Sequence, residues 1–257
     1  MLLAIDIGNT SIYFGEICNK EIKKTFRITT KKDITSDEYT VIIRNVLNDN
    51  INIKDIEAII MSSVVPEIVT DVEKALFNIT SIKTILLKRD IINSFELPEE
   101  FFRDLGADLI ADATGVIAKY KLPAIVFDMG TATTCSVIDK NGVFCGGMIC
   151  PGLKTSVDAL IGKASQLSEF KLGNPKQTVG TDTSECINAG AIYGHSEMIN
   201  GLRKRVENER GEKCTVVLTG GNSDYISKYV DSDIIHDKNL IFYGLNELYE
   251  KYKNIKI

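Results

Sequence analysis

The chain opens with the stretch LLAIDIGNTS (residues 2–11), and the same pattern returns as AIVFDMGTAT at residues 124–133. Each copy is an apolar run that ends in Asp-x-Gly and continues into small hydroxyl or amide residues. The apolar runs predict buried strands, and the Asp-x-Gly segments predict tight turns into a second strand. Because the copies stand at the start of two comparable halves, the sequence predicts a duplicated fold.

The segments after each copy extend the similarity between the halves. Second strands are predicted at residues 12–17 and 134–138 and third strands at 23–28 and 143–148, so each half begins with an antiparallel meander. A capping box at residues 35–38 predicts the start of a helix. Further helices are predicted at residues 67–77, 107–120, 155–167, 183–209 and 239–253, with further strands at 57–65 and 215–219.

This order of elements predicts an α/β fold, in which mixed β-sheets are flanked by helices. A duplicated unit of this kind resembles the ribonuclease-H-like, or actin-like, kinase architecture. We expect an N-terminal half at residues 1–121 and a C-terminal half at residues 122–257. No low-complexity linker separates them, so we expect the halves to pack closely across a nucleotide cleft.

Composition and charge exclude several classes of partner. The 257 residues carry a net charge of −5, which offers no strong electrostatic attraction to nucleic acid or to an anionic membrane. Basic clusters at residues 31–32 and 203–205 are short and predict solvated faces. The apolar start is interrupted at Asp6, far short of a signal peptide or a spanning helix. We therefore expect no nucleic-acid or membrane partner. The six cysteines form no CxxC pair, and this pattern predicts a protein of the reducing cytoplasm.

The two turns carry groups suited to a nucleoside triphosphate. Gly8 permits a tight turn, and Asn9 and Thr10 offer hydrogen-bond donors close to the Asp6 carboxylate. The second turn combines Asp128 with hydroxyls at positions 131, 133 and 134. The carboxylates could hold a hydrated metal ion that bridges the phosphates. Each turn taken singly is also explained as an Asx-turn that caps a hairpin.

Gly220-Gly221 follows the predicted strand at residues 215–219 and allows two interpretations. One is a contact with adenine or ribose at the strand end, and the other is a plain tight turn into a helix. The Walker pattern G-x-x-x-x-G-K-[ST] is absent from the sequence.

These segments, in this order and spacing, resemble the type III pantothenate kinases. DIGNT at residues 6–10 matches the family's first phosphate motif, and DMGTATT at 128–134 matches its second, D-x-GTATT. GGMICPG at 146–152 resembles GG-x-I-x-PG, and GTDT at 180–183 resembles G-x-NT with Asp182 in place of Asn. GAD at 106–108 resembles the start of a G-A-D-R element. The resemblance extends along the whole chain.

The resemblance implies ATP-dependent phosphorylation of pantothenate to 4'-phosphopantothenate, the first step of coenzyme A biosynthesis, in a cytoplasmic homodimer. It implies ATP, Mg²⁺ and a monovalent cation, K⁺ or NH₄⁺, with Asp108 as general base and Asp128 as ligand of the monovalent cation. ATP binding is implied for Asp6, Ile7, Gly8, Asn9, Thr10, Ser11, Ile12, Tyr13 and Thr131. Contact with pantothenate is implied for Gly106, Ala107, Asp108, Leu109 and Thr183.

Asp108 suits the chemistry, because a positioned carboxylate can accept an alcohol proton while the loose phosphoryl transition state forms. It also opens a predicted helix, where the helix dipole alone favours an acidic residue. The resemblance to the family favours the catalytic interpretation.

Two departures from the family pattern concern the acceptor. Leu109 stands where the family has an arginine, whose guanidinium would pair with the pantothenate carboxylate. Glu99 stands where the family has a tyrosine, and Phe101, Phe102 or Arg103 could compensate. Two alternatives stay open: an actin-like kinase for another small alcohol, and a catalytically weak nucleotide-binding regulatory relative.

Overall fold

The computed structural model describes residues 1–87, 105–163 and 170–255. Its first sheet has the strand order β3-β2-β1-β4-β5. The strands are β1 (Leu2–Ile7), β2 (Ser11–Cys18), β3 (Glu21–Thr29), β4 (Ala58–Ser63) and β5 (Ile85–Leu86). β1, β2 and β3 form the predicted antiparallel meander, and β4 and β5 run parallel to β1. The helices of this part of the chain are α1 (Ser36–Asn50), α2 (Pro66–Thr80) and α3 (Ala107–Lys119).

The second sheet repeats this topology, with the order β10-β9-β6-β7-β8. Its strands are β6 (Ala124–Met129), β7 (Ala132–Ile138), β8 (Phe144–Pro151), β9 (Thr215–Thr219) and β10 (Ile235–His236). β6, β7 and β8 are antiparallel, and β9 lies parallel to β6 and to β10. The remaining helices are α4 (Leu153–Lys163), α5 (Thr183–Arg210) and α6 (Leu240–Ile255). The predicted duplicated α/β fold with mixed sheets flanked by helices is confirmed.

Local sequence signals explain several element boundaries. The Thr35 hydroxyl accepts the Glu38 N–H at 3.3 Å, and the Glu38 carboxylate accepts the Thr35 N–H at 2.8 Å, so the capping box is confirmed. The strand predicted at 57–65 ends at Ser63, because Pro66 begins α2 in the first-turn position that suits proline. The helix predicted at 155–167 begins earlier, at Leu153, and its predicted end lies outside the described residues.

Side chains along β1 point alternately to the two faces of the first sheet, and this alternation decides on which face the Asp6 carboxyl group lies. Leu3, Ile5 and Ile7 are fully buried in a cluster with residues of α1 and α2. Leu2 and Ala4 point to the opposite face, where they pack with residues of α3 and α6. Asp6 continues this second series, so its carboxyl group lies on the face that carries α3 and α6, near the carboxyl end of the strand.

The chain forms two compact units that differ from the two halves expected from sequence. One unit contains Met1–Lys119 together with Asn239–Ile257, and the other contains Tyr120–Lys238. Helix α6, which the sequence assigned to the C-terminal half, thus belongs to the first unit. The physical reason is burial, since Phe242, Leu245 and Leu248 are 0% exposed and pack in the cluster that contains Leu2 and Ala4.

The prediction that the basic cluster at residues 203–205 is solvated is wrong for Arg203. Its side chain is buried, its Nε–H donates to Glu207 Oε1 at 3.4 Å, and its terminal nitrogens donate to both oxygens of Asp233. Lys204 and Arg205 are exposed, as expected.

Within the described ranges, no helix combines the length and apolar composition needed to cross a membrane.

Candidate active site

The first phosphate turn joins β1 to β2 and is held from the end of β3. The Gly8 N–H donates to the Ser11 carbonyl at 3.0 Å, and the Thr30 N–H donates to the Thr10 carbonyl at 3.1 Å. The Thr30 hydroxyl donates to the Gly8 carbonyl at 2.7 Å. The Asn9 and Thr10 side chains are exposed. The turn therefore has a defined backbone and presents short polar side chains to the solvent.

Three of the predicted ATP contacts have side chains engaged within the protein. Ile7 and Ile12 are 0% exposed and pack in the core, so only their backbone could meet a nucleotide. The Tyr13 hydroxyl donates to Asn239 Oδ1 at 3.0 Å, and the Tyr13 ring lies 4.6 Å from that of Phe242. A match to a sequence motif gives every residue of the segment the same role in ATP binding. In a strand, however, successive side chains point to opposite faces of the sheet, so some of these residues lie in the core and others remain accessible.

Asp6, the carboxyl group of this turn, has a strongly raised pKa. The Ser62 hydroxyl, at the end of the neighbouring parallel strand β4, donates to Asp6 Oδ1 at 2.5 Å. Burial raises the pKa of Asp6 from 3.8 to about 7; the Ser62 hydrogen bond and Arg27 oppose the rise, and the nearby Asp108 charge adds to it. The charge of Asp108 therefore acts on Asp6 within the first unit.

Asp108 lies in the first turn of α3 and has a raised pKa. Burial is the main cause, and the Leu109 N–H, which donates to Asp108 Oδ1 at 2.8 Å, opposes it. A base works best when its pKa approaches the working pH, so partial burial improves this carboxylate as a proton acceptor. The structure thus brings the predicted base and the first phosphate turn together.

The residues around Asp108 differ in what they can offer a substrate. A Cβ on Gly106 would come within 2.3 Å of Asp108 Oδ1, so glycine at this position leaves room for the carboxyl group. Ala107 packs against the cluster that contains Leu2 and Ala4. Leu109 is half-buried and offers no charge to an acceptor carboxylate.

The second phosphate turn joins β6 to β7, and protein donors hold three successive carbonyl groups, those of residues 129, 130 and 131. The backbone and side-chain amides of Asn222 donate to the first two, each at 2.9 Å. The Gly152 N–H, at 3.2 Å, and the Thr155 hydroxyl, at 2.6 Å, donate to the Thr131 carbonyl. Carbonyl oxygens repel phosphate, so engaging them within the protein favours the approach of an anion to this backbone.

Asp128 lies at the end of β6, beside the turn at Gly220. Gly220 has φ +90°, and a Cβ there would come within 2.1 Å of Asp128 Oδ1. This geometry agrees with a tight turn, one of the two interpretations of Gly220-Gly221. Among the described residues, no group of three or more His, Cys, Asp or Glu side chains could hold a metal ion.

Two threonines of β7, directly after the second turn, have unsatisfied hydroxyls. Thr133 Oγ1 and Thr134 Oγ1 are buried, and neither has a hydrogen-bond partner among the described residues. A buried hydroxyl left unpaired costs roughly 1–3 kcal/mol. Successive residues of a strand point to opposite faces, so Thr134, which pairs with Asp128, shares the face of Asp128, whereas Thr133, which pairs with Met129, shares the face of that core residue. Of these two hydroxyls, that of Thr134 is therefore the one placed to meet a ligand beside Asp128.

Thr183 is the first residue of α5 and its side chain is exposed. Asp182 caps this helix by accepting the Glu185 N–H at 2.8 Å. Asp and Asn are equally good at this position, which explains why Asp182 replaces the family's Asn without disturbing the helix start. Thr183 and Asp128 belong to the second unit, and Asp6 and Asp108 to the first.

Comparison with known proteins identifies the family. Residues 2–205 match the family model described as type III pantothenate kinase.

The chain belongs to the type III pantothenate kinase family.

A type III pantothenate kinase of Agathobacter rectalis is 35% identical over 253 residues, which cover 98% of this chain and 97% of that protein. One of Exiguobacterium sibiricum is 34% identical over 254 residues, covering 98% of this chain and 100% of that protein.

Solved structures support the fold of this type III pantothenate kinase family member. A protein described as a conserved Baf family transcriptional activator from Campylobacter jejuni has a TM-score of 0.59 at 20% identity and covers 98% of this chain and 99% of that one. The activator of 2-hydroxyisocaproyl-CoA dehydratase from Clostridium difficile has a TM-score of 0.56 at 14% identity, covering 99% and 97%. At these identities the likeness concerns the fold alone.

Motif reasoning missed Thr30, Ser62, Asn222 and Thr155, which hold the two turns in place. The sequence did contain a signal for Ser62, which is a polar residue at the end of an apolar strand. Ligands of open α/β sheets bind at such strand ends, so this residue could have been predicted to belong to the site. Glu99 lies outside the described residues, as do Phe101, Phe102 and Arg103, any one of which could compensate for it.

Proposed function

We propose that this chain catalyses ATP-dependent phosphorylation of pantothenate to 4'-phosphopantothenate. The observation that carries the proposal is the half-buried Asp108 carboxyl group at the start of α3, close to Asp6 of the first phosphate turn, in a member of this family. Burial raises the pKa of both groups, and perturbed pKa values of this kind cluster at functional sites.

In the proposed reaction, the pantothenate hydroxyl oxygen attacks the γ-phosphorus of ATP. A new O–P bond forms, the bond from the γ-phosphorus to the β,γ-bridging oxygen breaks, and ADP leaves with that electron pair. Asp108 accepts the hydroxyl proton, so no alkoxide has to exist in solution. Gly106 leaves room for the carboxyl group in the orientation held by the Leu109 N–H.

ATP is proposed to bind to the two phosphate turns, at residues 6–13 and at Thr131. Asp6 fits a phosphate-bound Mg²⁺, because Ser62 engages only one of its oxygens and the side chain remains partly exposed. Such an ion would neutralise part of the phosphate charge. Asp128 is proposed as a ligand of K⁺ or NH₄⁺.

Pantothenate is proposed to contact residues 106–109 and Thr183. A homodimer in the cytoplasm is part of the proposal, on the family resemblance. A second candidate function, phosphorylation of a small alcohol without a carboxylate, is favoured by Leu109, which offers no counter-charge at its position.

The test is phosphorylation of pantothenate by the purified protein with and without K⁺, using Asp108→Asn and the exposed control Asp49→Asn. We expect turnover to fall about 10²–10⁴-fold in Asp108→Asn, with ATP binding retained, and to be unchanged in the control. Turnover restricted to uncharged alcohols would favour the second candidate. ATP binding without turnover of any acceptor would contradict both and favour a regulatory relative.

A further inference from the structure

Four polar side chains form a row across the first sheet. The strand register pairs Ser62 of β4 with Asp6 of β1, Asp6 with Tyr13 of β2, and Tyr13 with Arg27 of β3. Directly opposite residues of neighbouring strands project from the same face of a sheet. Arg27 therefore shares a face with Asp6, although 21 positions separate them along the chain.

The Tyr13 ring is a fixed platform for Arg27. The ring packs against Phe242 at 4.6 Å between centroids, and its hydroxyl donates to Asn239 at 3.0 Å. The Arg27 guanidinium carbon lies 3.8 Å from the ring centroid. The guanidinium is planar, and contact with the ring restricts its motion while its N–H donors can still bind a carboxylate or phosphate with two parallel bonds.

The charge of Arg27 is not matched by a carboxylate in contact with it. The Arg27 side chain is exposed, and no Asp or Glu oxygen of residues 1–87, 105–163 and 170–255 lies within ion-pair distance of it. The neighbouring cations of β3 are engaged elsewhere, Lys23 with Glu21 and Lys24 with the Asn50 carbonyl. Arg27 thus differs from them in directing its charge to the face that carries Asp6.

The chemistry of this face needs a cation. ATP and a carboxylate acceptor are anions, and both would approach Asp6 and Asp108, which repel them when ionised. Helices α3 and α6 begin beside the row, at Ala107 and Leu240, and their N-terminal dipoles offset only part of this charge. A guanidinium with accessible donors adds attraction beyond that of a phosphate-bound Mg²⁺ and also adds directional hydrogen bonds.

We propose that Arg27, held on Tyr13, binds an oxyanion of the reacting substrates, either the carboxylate of the acceptor or the oxygens of the transferred phosphoryl group. The inference rests on the kinase activity proposed above. It assigns to β3 a role in substrate recognition, in which Arg27 supplies the positive charge that Leu109 lacks.

The test compares Arg27→Gln and Arg27→Lys with Arg44→Gln, which makes the same change at an exposed position of α1. Steady-state kinetics are measured with pantothenate and with pantothenol, in which a hydroxymethyl group replaces the carboxylate. If Arg27 binds the acceptor carboxylate, Arg27→Gln raises KM for pantothenate about 10-fold or more and leaves pantothenol unaffected. If it binds the phosphoryl group, kcat falls about 10-fold or more with both acceptors.

Arg27→Lys should recover part of the loss in either case, since it keeps the charge but loses the bidentate geometry. Kinetic constants within threefold of wild type for Arg27→Gln on both acceptors would overturn the proposal. So would a loss explained by a lowered melting temperature. Should the wild-type protein turn over neither acceptor, the proposed function fails separately. In that case calorimetry measures the affinities of the wild-type protein and of Arg27→Gln for ATP and for pantothenate. Equal affinities in the two proteins would contradict the proposed role of Arg27.

Discussion

At the scale of single residues, Gly106 and Asp108 are sterically linked. A Cβ at position 106 would approach Asp108 Oδ1 to 2.3 Å, so Gly106→Ala must displace the carboxyl group. We expect kcat to fall about 10-fold or more, because small misplacements of a reacting group are costly, while the free energy of unfolding changes little. Steady-state kinetics and urea denaturation check this prediction.

The matched control for Gly106→Ala is Gly162→Ala, since a Cβ at Gly162 meets nothing within 4 Å. This control should keep full activity. Wild-type kcat in Gly106→Ala would show that the Asp108 carboxyl group either moves without consequence or has no part in the reaction.

Asp6 should make the stability of the chain depend on pH. Its pKa in the folded chain, about 7, lies above the ordinary 3.8, so the folded state binds the proton more tightly than the unfolded state does. The free energy of unfolding should therefore fall as the pH rises from about 4 to about 7. Asp6→Asn removes this titration and should stabilise the chain by about 4 kcal/mol at pH 8 and by about 1 kcal/mol at pH 4.5.

Urea denaturation with EDTA at the two pH values measures this effect, with the exposed Asp49→Asn as control. An equal change in stability at both pH values for Asp6→Asn would contradict the assigned pKa. Because burying an ionised carboxylate costs stability, its presence here is consistent with a functional role.

At the scale of elements, α3 and α6 pack with their backbones in close contact. A Cβ on Gly244 of α6 would come within 1.7 Å of the Ala111 carbonyl of α3, and one on Gly115 within 2.5 Å of the Leu240 carbonyl. Gly→Ala in a helix normally stabilises by about 0.5–1 kcal/mol. Gly244→Ala should instead destabilise by about 1–3 kcal/mol, because the helices must separate.

Gly190→Ala in α5 provides the contrast, since a Cβ there meets nothing within 4 Å. It should be neutral or stabilising. Chemical denaturation of both variants measures the difference, and a stabilised Gly244→Ala would contradict the close packing of α3 on α6. Since α3 begins with the turn that carries Asp108, separating the helices should also lower activity.

At the scale of the whole molecule, the C-terminal helix completes the first unit. Three of its residues, Phe242, Leu245 and Leu248, are 0% exposed. Their burial stabilises by about 5–9 kcal/mol in total, which is comparable with the net stability of a domain. Removing residues 239–257 should therefore unfold the first unit, while residues 120–238 keep a cooperative thermal transition of their own.

Scanning calorimetry of the truncated chain tests this expectation, with removal of residues 254–257 alone as control. A thermal profile unchanged by the longer deletion would show that α6 is dispensable for the core containing Leu2 and Ala4.

The sequence by itself determined the local features of this protein. Apolar runs and Asp-x-Gly turns predicted both meanders, the capping box at Thr35 predicted the start of α1, and the spacing of short motifs indicated the family. These signals could be predicted because strand alternation, turn chemistry and helix capping act over a few neighbouring residues.

Only the tertiary structure decided which distant groups meet. Ser62 reaches Asp6 across 56 positions, and Asn222 reaches the Gly130 carbonyl across 92. α6 joins the first unit, and Arg203 is buried by pairing with Asp233. No local pattern encodes these outcomes, because strand order and the burial of distant side chains depend on packing of the whole chain.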